Sequence, residues 1–328
     1  MLPVAVDAMG GDKAPHDIVA GAQRAVAELG VPVVLVGQPE VLDPIRGDLE
    51  VIPASEVIPM SADPGSSVRR MKDSSLVRAA EAVRDGKASA MISAGNTGAT
   101  MASALLRMGR IKGVSRPAIA TPIPVPGHTP TVLLDAGANA ECQAEWLLQF
   151  AQMGAAFARD RYGIAEPRVG LLSIGEEASK GTPLVKETNA LLASSDALRA
   201  AGATFVGNVE GRDVMTPDVD VVVTDGFTGN VVLKTLEGSM RTLVGAIFEA
   251  FGSTPETQAA SEVLVPALLP LYATLDPDNT GGAMLLGVDG LCLISHGSSS
   301  DTAIVNAVRV AKELLDAGIV DSLRAAVA

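Results

Sequence analysis

Residues 93–99 read "SAGNTGA" and directly follow the short apolar run 88–92, "ASAMI". The run is typical of a buried strand, and the residues after the first glycine have the apolar period of a helix near 97–109. A corner of this kind either makes a plain tight turn or holds a ligand with several backbone N–H groups. Similar corners elsewhere in the chain help to decide between these two interpretations.

Strand-like and helix-like segments alternate along nearly the whole chain. Short apolar runs predict strands at 3–8, 32–37, 50–53, 88–93, 117–122, 131–136, 168–174, 203–208, 219–225 and 290–295. Helical periodicity lies between them, near 15–29, 73–85, 97–109, 140–160, 182–199, 229–251 and 300–317. This alternation predicts a mostly parallel sheet covered by helices on both faces. Because no linker or internal repeat interrupts residues 1–328, we expect a single α/β domain.

Composition and charge narrow the class of protein. The 328 residues are 48% hydrophobic but only 3% aromatic, so the core must consist mainly of Ala, Val, Leu and Ile. The net charge of −13 argues against non-specific binding of nucleic acid. Two distant cysteines give neither a disulfide framework nor a metal-type spacing, which fits a reducing cytosol. The sequence also predicts no signal peptide and no membrane span.

Seven predicted strands end in a glycine beside a small polar residue. These corners read "DAMGGD", "SAGNTGA", "DAGANAE", "SIGEE", "NVEGRD", "TDGFTGN" and "SHGSSSD". Glycine lets the backbone approach a ligand closely, and a helix N-terminus presents unpaired N–H groups. In a parallel sheet the carboxyl ends of the strands share one edge, so we expect all seven corners to converge. Their convergence favours an anionic ligand, with phosphate as the first choice.

The familiar catalytic and nucleotide motifs are absent. Neither "GxGxxG" nor "GxxxxGK[ST]" occurs, which weakens dinucleotide and nucleoside triphosphate interpretations. "GxSxG" is also missing, and three histidines give no sign of a Ser-His-Asp triad. Cys142 and Cys292 fit small buried fillers better than nucleophiles. Four scattered aspartates fit helix caps better than metal ligands, so no metal or cofactor is predicted: Asp7, Asp12, Asp135 and Asp225.

Three side chains could place a positive charge next to a bound anion. Lys180 lies in the polar loop "GEEASKGT", Lys234 lies one turn into a helix, and His296 lies at a strand end where a titrating group is useful. A structural role is equally compatible with each of them.

Residues 252–280 break the alternation. They give no strand signal, and 263–271, "VLVPALLPL", are strongly apolar. Pro266 and Pro270 are expected to interrupt any helix there. The segment predicts a protruding helical hairpin inserted into the domain, which either packs in a dimer or touches a membrane.

The motifs together resemble those of the bacterial phosphate acyltransferases of phospholipid synthesis. The resemblance covers essentially the whole chain, in the same order, through "VAVDAMGGDKAP", "ISAGNTGA", "GRIKGVSRPAIA", "LLDAGAN", "RVGLLSIGEE", "DVVVTDGFTGNVVLKTLEG" and "HGSSS". It implies a Rossmann-like α/β/α sandwich akin to phosphotransacetylases and isopropylmalate-type dehydrogenases, with 1–328 as one catalytic domain. It also implies a homodimer in the cytoplasm, peripheral at the inner face of the cell membrane. Relatives carry lysines in the hairpin, whereas 263–271 has no basic residue.

The implied reaction converts acyl-(acyl carrier protein) and inorganic phosphate to acyl-phosphate and free carrier protein. A membrane glycerol-3-phosphate acyltransferase would then consume the acyl-phosphate. A thioester is already activated and phosphate is already a nucleophile, so the enzyme needs to hold the two reactants and stabilise the oxyanion, without a covalent intermediate.

The site residues follow from the corners and the charge pattern. We predict that phosphate binds Asn96, Thr97 and Gly98, with help from Thr228, Gly229 and Asn230. Lys180 or His296 is predicted to neutralise phosphate or polarise the carbonyl, with Asp225 as a further catalytic candidate. A structural loop is predicted from Asp7, Gly10, Gly11 and Asp12. Because the carrier protein is acidic, its docking is predicted on basic residues that could otherwise be ordinary surface charge: Arg107, Arg110, Lys112 and Arg116.

Other functions remain open at this stage. An enzyme of the same fold could use acyl-CoA, and a non-catalytic protein could sense acyl-phosphate or carrier protein. A decarboxylating dehydrogenase would need a metal-binding aspartate cluster and a nicotinamide pocket, and the sequence indicates neither.

Overall fold

The computed structural model describes residues 1–328, apart from the side chain of Pro277. Within this described chain eleven strands form one sheet, in the order β3-β2-β1-β4-β11-β10-β5-β6-β9-β7-β8. The strands are β1 (Val4–Asp7), β2 (Val33–Gly37), β3 (Glu50–Pro53), β4 (Ala90–Ser93), β5 (Ala118–Ile123), β6 (Thr131–Leu134), β7 (Arg168–Leu172), β8 (Thr204–Val209), β9 (Val221–Val223), β10 (Ala283–Leu286) and β11 (Leu291–Ile294).

Helices cover both faces of this sheet. They are α1 (His16–Leu29), α2 (Pro39–Leu42), α3 (Pro64–Arg70), α4 (Ser75–Arg84), α5 (Thr97–Arg107), α6 (Ala144–Tyr162), α7 (Pro183–Ser194), α8 (Asp196–Ala200), α9 (Gly226–Phe251), α10 (Pro255–Leu275), α11 (Pro277–Thr280), α12 (Asp301–Asp316) and α13 (Ile319–Ala326). A short 3₁₀ helix spans Gly211–Met215. The core holds few aromatic side chains, and Phe150 and Phe157 of α6 are the largest fully buried ones.

All ten predicted strands are confirmed, with small shifts at their ends. The sequence prediction missed β10, which has four residues between Gly282 and Gly287, both at positive φ. A run this short carries too little periodicity to stand out beside the longer strands. Seven of the ten strand pairings are parallel, so the prediction of a mostly parallel sheet is also confirmed.

The strands nevertheless run in two directions. β10 is antiparallel to both neighbours, and β5 is antiparallel to β6. As a result, β6 to β9 run opposite to β1 to β4 and β11. A signal for this reversal was present, because parallel neighbours need a crossover of a dozen or more residues and the loop between β5 and β6 is shorter.

The prediction that all seven glycine corners meet at one edge is therefore wrong. "DAMGGD", "SAGNTGA" and "SHGSSSD" follow β1, β4 and β11 and lie at one edge, which we call the His296 edge. "DAGANAE", "SIGEE", "NVEGRD" and "TDGFTGN" follow β6 to β9 and lie at the opposite edge, which we call the Asp135 edge.

Helix α9 is fixed at its start to the Asp135 edge. The Asp225 side chain caps it by accepting hydrogen bonds from the Thr228 N–H and hydroxyl, both at 2.8 Å. The Gly226 N–H donates to the Asn139 carbonyl at 2.7 Å. A Cβ placed on Gly229 would lie 1.9 Å from the carbonyl oxygen of Asp135, so only glycine fits there. The first turn of α9 is thus packed directly on the backbone of Asp135.

The far half of α9 and all of α10 protrude as two antiparallel arms, which we call the α9–α10 hairpin. The predicted segment 252–280 supplies the turn, the second arm and α11, while the first arm belongs to the preceding helix. Helix α10 has no buried residue and continues through Pro266 and Pro270, which contradicts the predicted interruption. An exposed helix can tolerate the lost hydrogen bonds because water reaches the freed carbonyls.

We predict that Gly229→Ala destabilises the protein by about 2–3 kcal/mol, because the added methyl group overpacks a backbone contact. Urea unfolding of the variant and the wild type measures this difference. Gly238→Ala in the same helix is the matched control, since a Cβ there meets nothing within 4 Å. The control should be neutral or stabilising by up to about 1 kcal/mol. Equal stability of the two variants would contradict the proposed packing of α9.

Candidate active site

Glycines at the His296 edge allow the three strand-end loops to touch one another. A Cβ on Gly10 would lie 2.5 Å from the Asp7 Oδ2 and 2.8 Å from the Gly95 Cα. Gly11 has φ +110°, and the neighbouring Asp12 N–H donates to the Gly297 carbonyl at 2.7 Å. These glycines are therefore required by contacts between loops, whether or not a ligand lies there.

Asp7 is the buried acidic residue that connects the loops of the His296 edge. Its carboxylate is buried and accepts hydrogen bonds from the Ser93 hydroxyl at 2.7 Å and the Met9 N–H at 3.2 Å. Burial raises the pKa of Asp7, and the bond from Ser93 opposes that rise. The predicted structural loop of Asp7, Gly10, Gly11 and Asp12 thus lies next to the "SAGNTGA" corner.

The Asn96 side chain already has protein partners. Its Oδ1 caps α5 by accepting from the Ala99 N–H at 3.0 Å, and its Nδ2 donates to the carbonyls of Met60 and Ala62 at 2.8 and 3.1 Å. A Cβ on Gly98 would lie 2.5 Å from the Pro64 Cγ, so that residue packs against α3. Thr97 is exposed at the start of α5, where helix N–H groups lack carbonyl partners.

A cleft of about 700 Å³ opens beside His296. Its polar lining includes Ser298, Lys234 and Glu237, and Arg241, Asp276 and Asp278 add further charge to a cleft that is otherwise largely apolar. The apolar lining comes from Met215, Leu233, Leu236, Met240, Val244, Tyr272 and Leu275. Volume and lining suit a ligand that has both a polar and an apolar part.

Helix α9 brings two charged side chains to His296. The Glu237 Oε1 lies 3.1 Å from the His296 Nε2, and the Glu237 Oε2 lies 2.8 Å from the Lys234 Nζ. Burial acts to raise the pKa of Glu237, but the hydrogen bonds from His296 and Lys234 outweigh it and lower the pKa. Lys234 and His296 are candidates from the sequence alone, whereas Glu237 is not, because its position depends on how α9 crosses the sheet.

Four other predicted site residues lie at the Asp135 edge. Thr228, Gly229 and Asn230 form the first turn of α9, and Asp225 is its cap. They are separated from Asn96 by the height of the sheet, about 13 Å for a four-residue strand. One phosphate ion therefore cannot contact both groups, and the structure does not bring them together.

Lys180 is also distant from His296. It is exposed in the loop after β7, and β7 lies five positions from β11, about 24 Å at about 4.8 Å per strand. In this chain the two predicted catalytic cations therefore cannot act on the same group.

The predicted docking cluster lies at the far end of α5 from the cleft. Arg107 is 3.7 Å from Glu81, and Arg110 donates to the Ser115 carbonyl. The Arg116 guanidinium stacks over Trp146, 4.9 Å from the ring centroid. Because α5 has 11 residues, this cluster lies about 16 Å along the helix from Asn96.

Neither cysteine is poised for chemistry. Burial raises the pKa of Cys142 to about 12 and that of Cys292 to about 12. A thiol with so high a pKa is a poor nucleophile at neutral pH. No group of three or more His, Cys, Asp or Glu side chains gathers as metal ligands within the described part of the chain.

Comparison with known proteins identifies the family. The family model described as "Fatty acid synthesis protein" matches residues 2–322. A phosphate acyltransferase from Elusimicrobium minutum is 48% identical, over 98% of this chain and 95% of that protein. The chain belongs to the phosphate acyltransferase family. It is therefore an enzyme of acyl transfer with phosphate as a substrate, as the sequence motifs predicted.

Solved structures of related fold agree with the predicted architecture. A phosphotransacetylase from Streptococcus pyogenes superposes with a TM-score of 0.64 at 18% identity, covering 96% of this chain and 94% of that one. A 4-hydroxythreonine-4-phosphate dehydrogenase from Klebsiella pneumoniae gives 0.52 at 16% identity, with 95% and 97% covered. These likenesses confirm the Rossmann-like α/β fold class.

Proposed function

We propose that this phosphate acyltransferase takes its acyl group from an acyl carrier protein and releases acyl-phosphate for phospholipid synthesis. The observation that carries the proposal is the cleft beside His296, which combines charged groups with apolar side chains of α9 and α10. An acyl thioester likewise combines a reactive polar group with an apolar chain. The acyl chain lies against Leu236, Met240 and Val244 in this arrangement.

The phosphate lies beside His296, between the first turn of α5 and the Ser298 loop, and Thr97 orients it. A phosphate oxygen attacks the thioester carbonyl carbon while the phosphate proton passes to the Nδ1 of His296. The carbon–sulfur bond breaks, and the carrier leaves as a thiolate that takes up the proton from His296. Holding two reactants in place contributes about 7–11 kcal/mol in well-oriented systems, and proton transfer by a positioned side chain contributes about 100- to 10,000-fold in rate.

The direct test incubates purified protein with a long-chain acyl carrier protein and inorganic phosphate, then measures acyl-phosphate by mass spectrometry. We expect acyl-phosphate to form faster from the carrier-protein donor than from the matching acyl-CoA, and His296→Ala to abolish most of it. Turnover with acyl-CoA alone would instead support a CoA-using phosphotransacylase. Tight binding of both ligands without turnover would support a non-catalytic sensor.

The carrier protein is acidic, so we propose that it docks on the basic cluster Arg107, Arg110, Lys112 and Arg116. A second exposed cluster, Arg69, Arg70 and Lys72, lies at the end of α3 and offers a matched comparison.

Reversing charge with Arg110→Glu and Lys112→Glu should raise the KM for acyl carrier protein by about 10-fold and flatten its salt dependence. The KM for phosphate should stay unchanged, because the cluster lies far from the cleft. Steady-state rates at several salt concentrations measure both. An effect from Arg69→Glu with Arg70→Glu, and none from the first pair, would move the docking surface to α3.

We further propose that the α9–α10 hairpin packs against a second copy of the chain in a homodimer. Large apolar side chains are exposed along it, including Leu243, Phe248, Leu264 and Leu269, with exposed fractions of 63%, 48%, 51% and 53%. Helix α10 is long and apolar enough to cross a bilayer by length and composition, although a lone helix of this kind is weak evidence for a span. Residues 252–280 carry four acidic and no basic side chains, which disfavours anionic lipid as the main partner.

The oligomeric state tests this surface. Wild-type protein should sediment as a dimer, and Leu243→Ser with Phe248→Ser should shift it towards monomer. Leu106→Ser is the control, because Leu106 is similarly exposed, at 51%, on α5. A monomeric wild type that floats with anionic vesicles would contradict the dimer surface. It would instead support a cytoplasmic protein held at the inner membrane face, near a membrane glycerol-3-phosphate acyltransferase that consumes acyl-phosphate.

A further inference from the structure

His296 has only one ring nitrogen free for a substrate. Its Nε2 lies 3.1 Å from the Glu237 Oε1, and the Glu237 side chain is 18% exposed. An ionised carboxylate can only accept hydrogen bonds, so the Nε2 must carry the proton in this pair. The Nδ1 is then the nitrogen left to interact with a reacting group in the cleft.

Glu237 is itself held from a second side. Its other carboxylate oxygen lies 2.8 Å from the Lys234 Nζ, one turn earlier on the same helix. The two contacts fix both oxygens, so the carboxylate has little freedom to rotate away from the imidazole. Glu237 is also the acidic group nearest to His296 on α9, while Arg241, Asp276 and Asp278 line other parts of the cleft.

The position of Glu237 is set at the opposite edge of the sheet. Twelve residues separate it from the Asp225 cap, about 18 Å of helix. Since Gly229 packs on the Asp135 backbone, the helix cannot slide without breaking that contact. The "TDGFTGN" corner thus sets where Glu237 meets His296, although it lies far from the cleft.

We propose that Glu237 is a positioning residue for acyl transfer to phosphate. It holds His296 through the Nε2 so that the Nδ1 faces the reactants, and Lys234 holds Glu237. This inference rests on the proposed role of His296 in the cleft.

Kinetics of single and double variants test the inference. Glu237→Ala should lower kcat by about 10- to 100-fold, less than the roughly 100- to 10,000-fold of a group that transfers the proton itself, because Glu237 acts through His296. The KM for phosphate should change little. In a His296→Ala background the same substitution should cost less than about 2-fold, because coupled residues are not additive. Glu249→Ala, which removes an exposed carboxylate farther along α9, is the control and should leave kcat unchanged.

Nuclear magnetic resonance provides a readout that does not depend on activity. The chain has only three histidines, so ¹⁵N-histidine spectra resolve His296 with His16 and His128 as internal controls. We expect one tautomer for His296, with the proton on Nε2, and an exchange-averaged pair of signals in Glu237→Ala. Signals of the other two histidines should not move. Glu237→Gln, whose amide oxygen can still accept from Nε2, should retain most of the tautomer preference.

The outcomes separate this inference from the proposed function. If His296→Ala strongly lowers acyl-phosphate formation but Glu237→Ala lowers kcat by the same factor in both backgrounds, Glu237 does not act through His296 and the inference fails. An unchanged His296 spectrum in Glu237→Ala would overturn it as well. If His296→Ala itself has no effect on acyl-phosphate formation, the role proposed for His296 in the reaction is wrong, whatever the result for Glu237.

Discussion

The contact between Gly229 and the backbone of Asp135 is the constraint on which the active-site geometry depends. A side chain at position 229 would lie 1.9 Å from a carbonyl oxygen, so the helix and the strand end meet backbone to backbone. From this fixed point α9 crosses the face of the sheet and carries Lys234 and Glu237 to His296. The same helix then supplies one wall of the cleft and one arm of the exposed hairpin. A single close contact thereby couples the two edges of a sheet whose strands run in opposite directions.

The strand-end glycines have different purposes at the two edges. Gly10 and Gly11 allow the loops after β1, β4 and β11 to pack on one another, while Gly226 and Gly229 anchor a helix. Neither use needs a ligand, although His296 and Ser298 of the loop after β11 line the cleft. Glycine-rich corners are therefore weaker evidence for phosphate than their number suggests. The proposed function rests instead on the cleft and on membership of the phosphate acyltransferase family.

Much of the fold could be predicted from the sequence, because its strands and helices have clear and separate periodicities. Individual loops were also placed correctly beside strand ends. Which loops share an edge could not be derived from periodicity, since that depends on strand direction, and the short loop before β6 was a local indication of a reversal. Glu237 was missed for a related reason: nothing in "KTLEG" marks a carboxylate that meets a histidine nearly 60 residues later. Lys180 looked suitable by residue type, but the order of the strands places it far across the sheet.

We propose that phosphate and the acyl thioester meet at the His296 edge, under α9. A crystal structure of the protein with phosphate and a non-reactive acyl thioester analogue is the decisive experiment. We expect phosphate beside Thr97, His296 and Ser298, with the acyl chain along Met240 and Val244. Phosphate bound at the Asp135 edge, against Thr228 and Asn230, would contradict it.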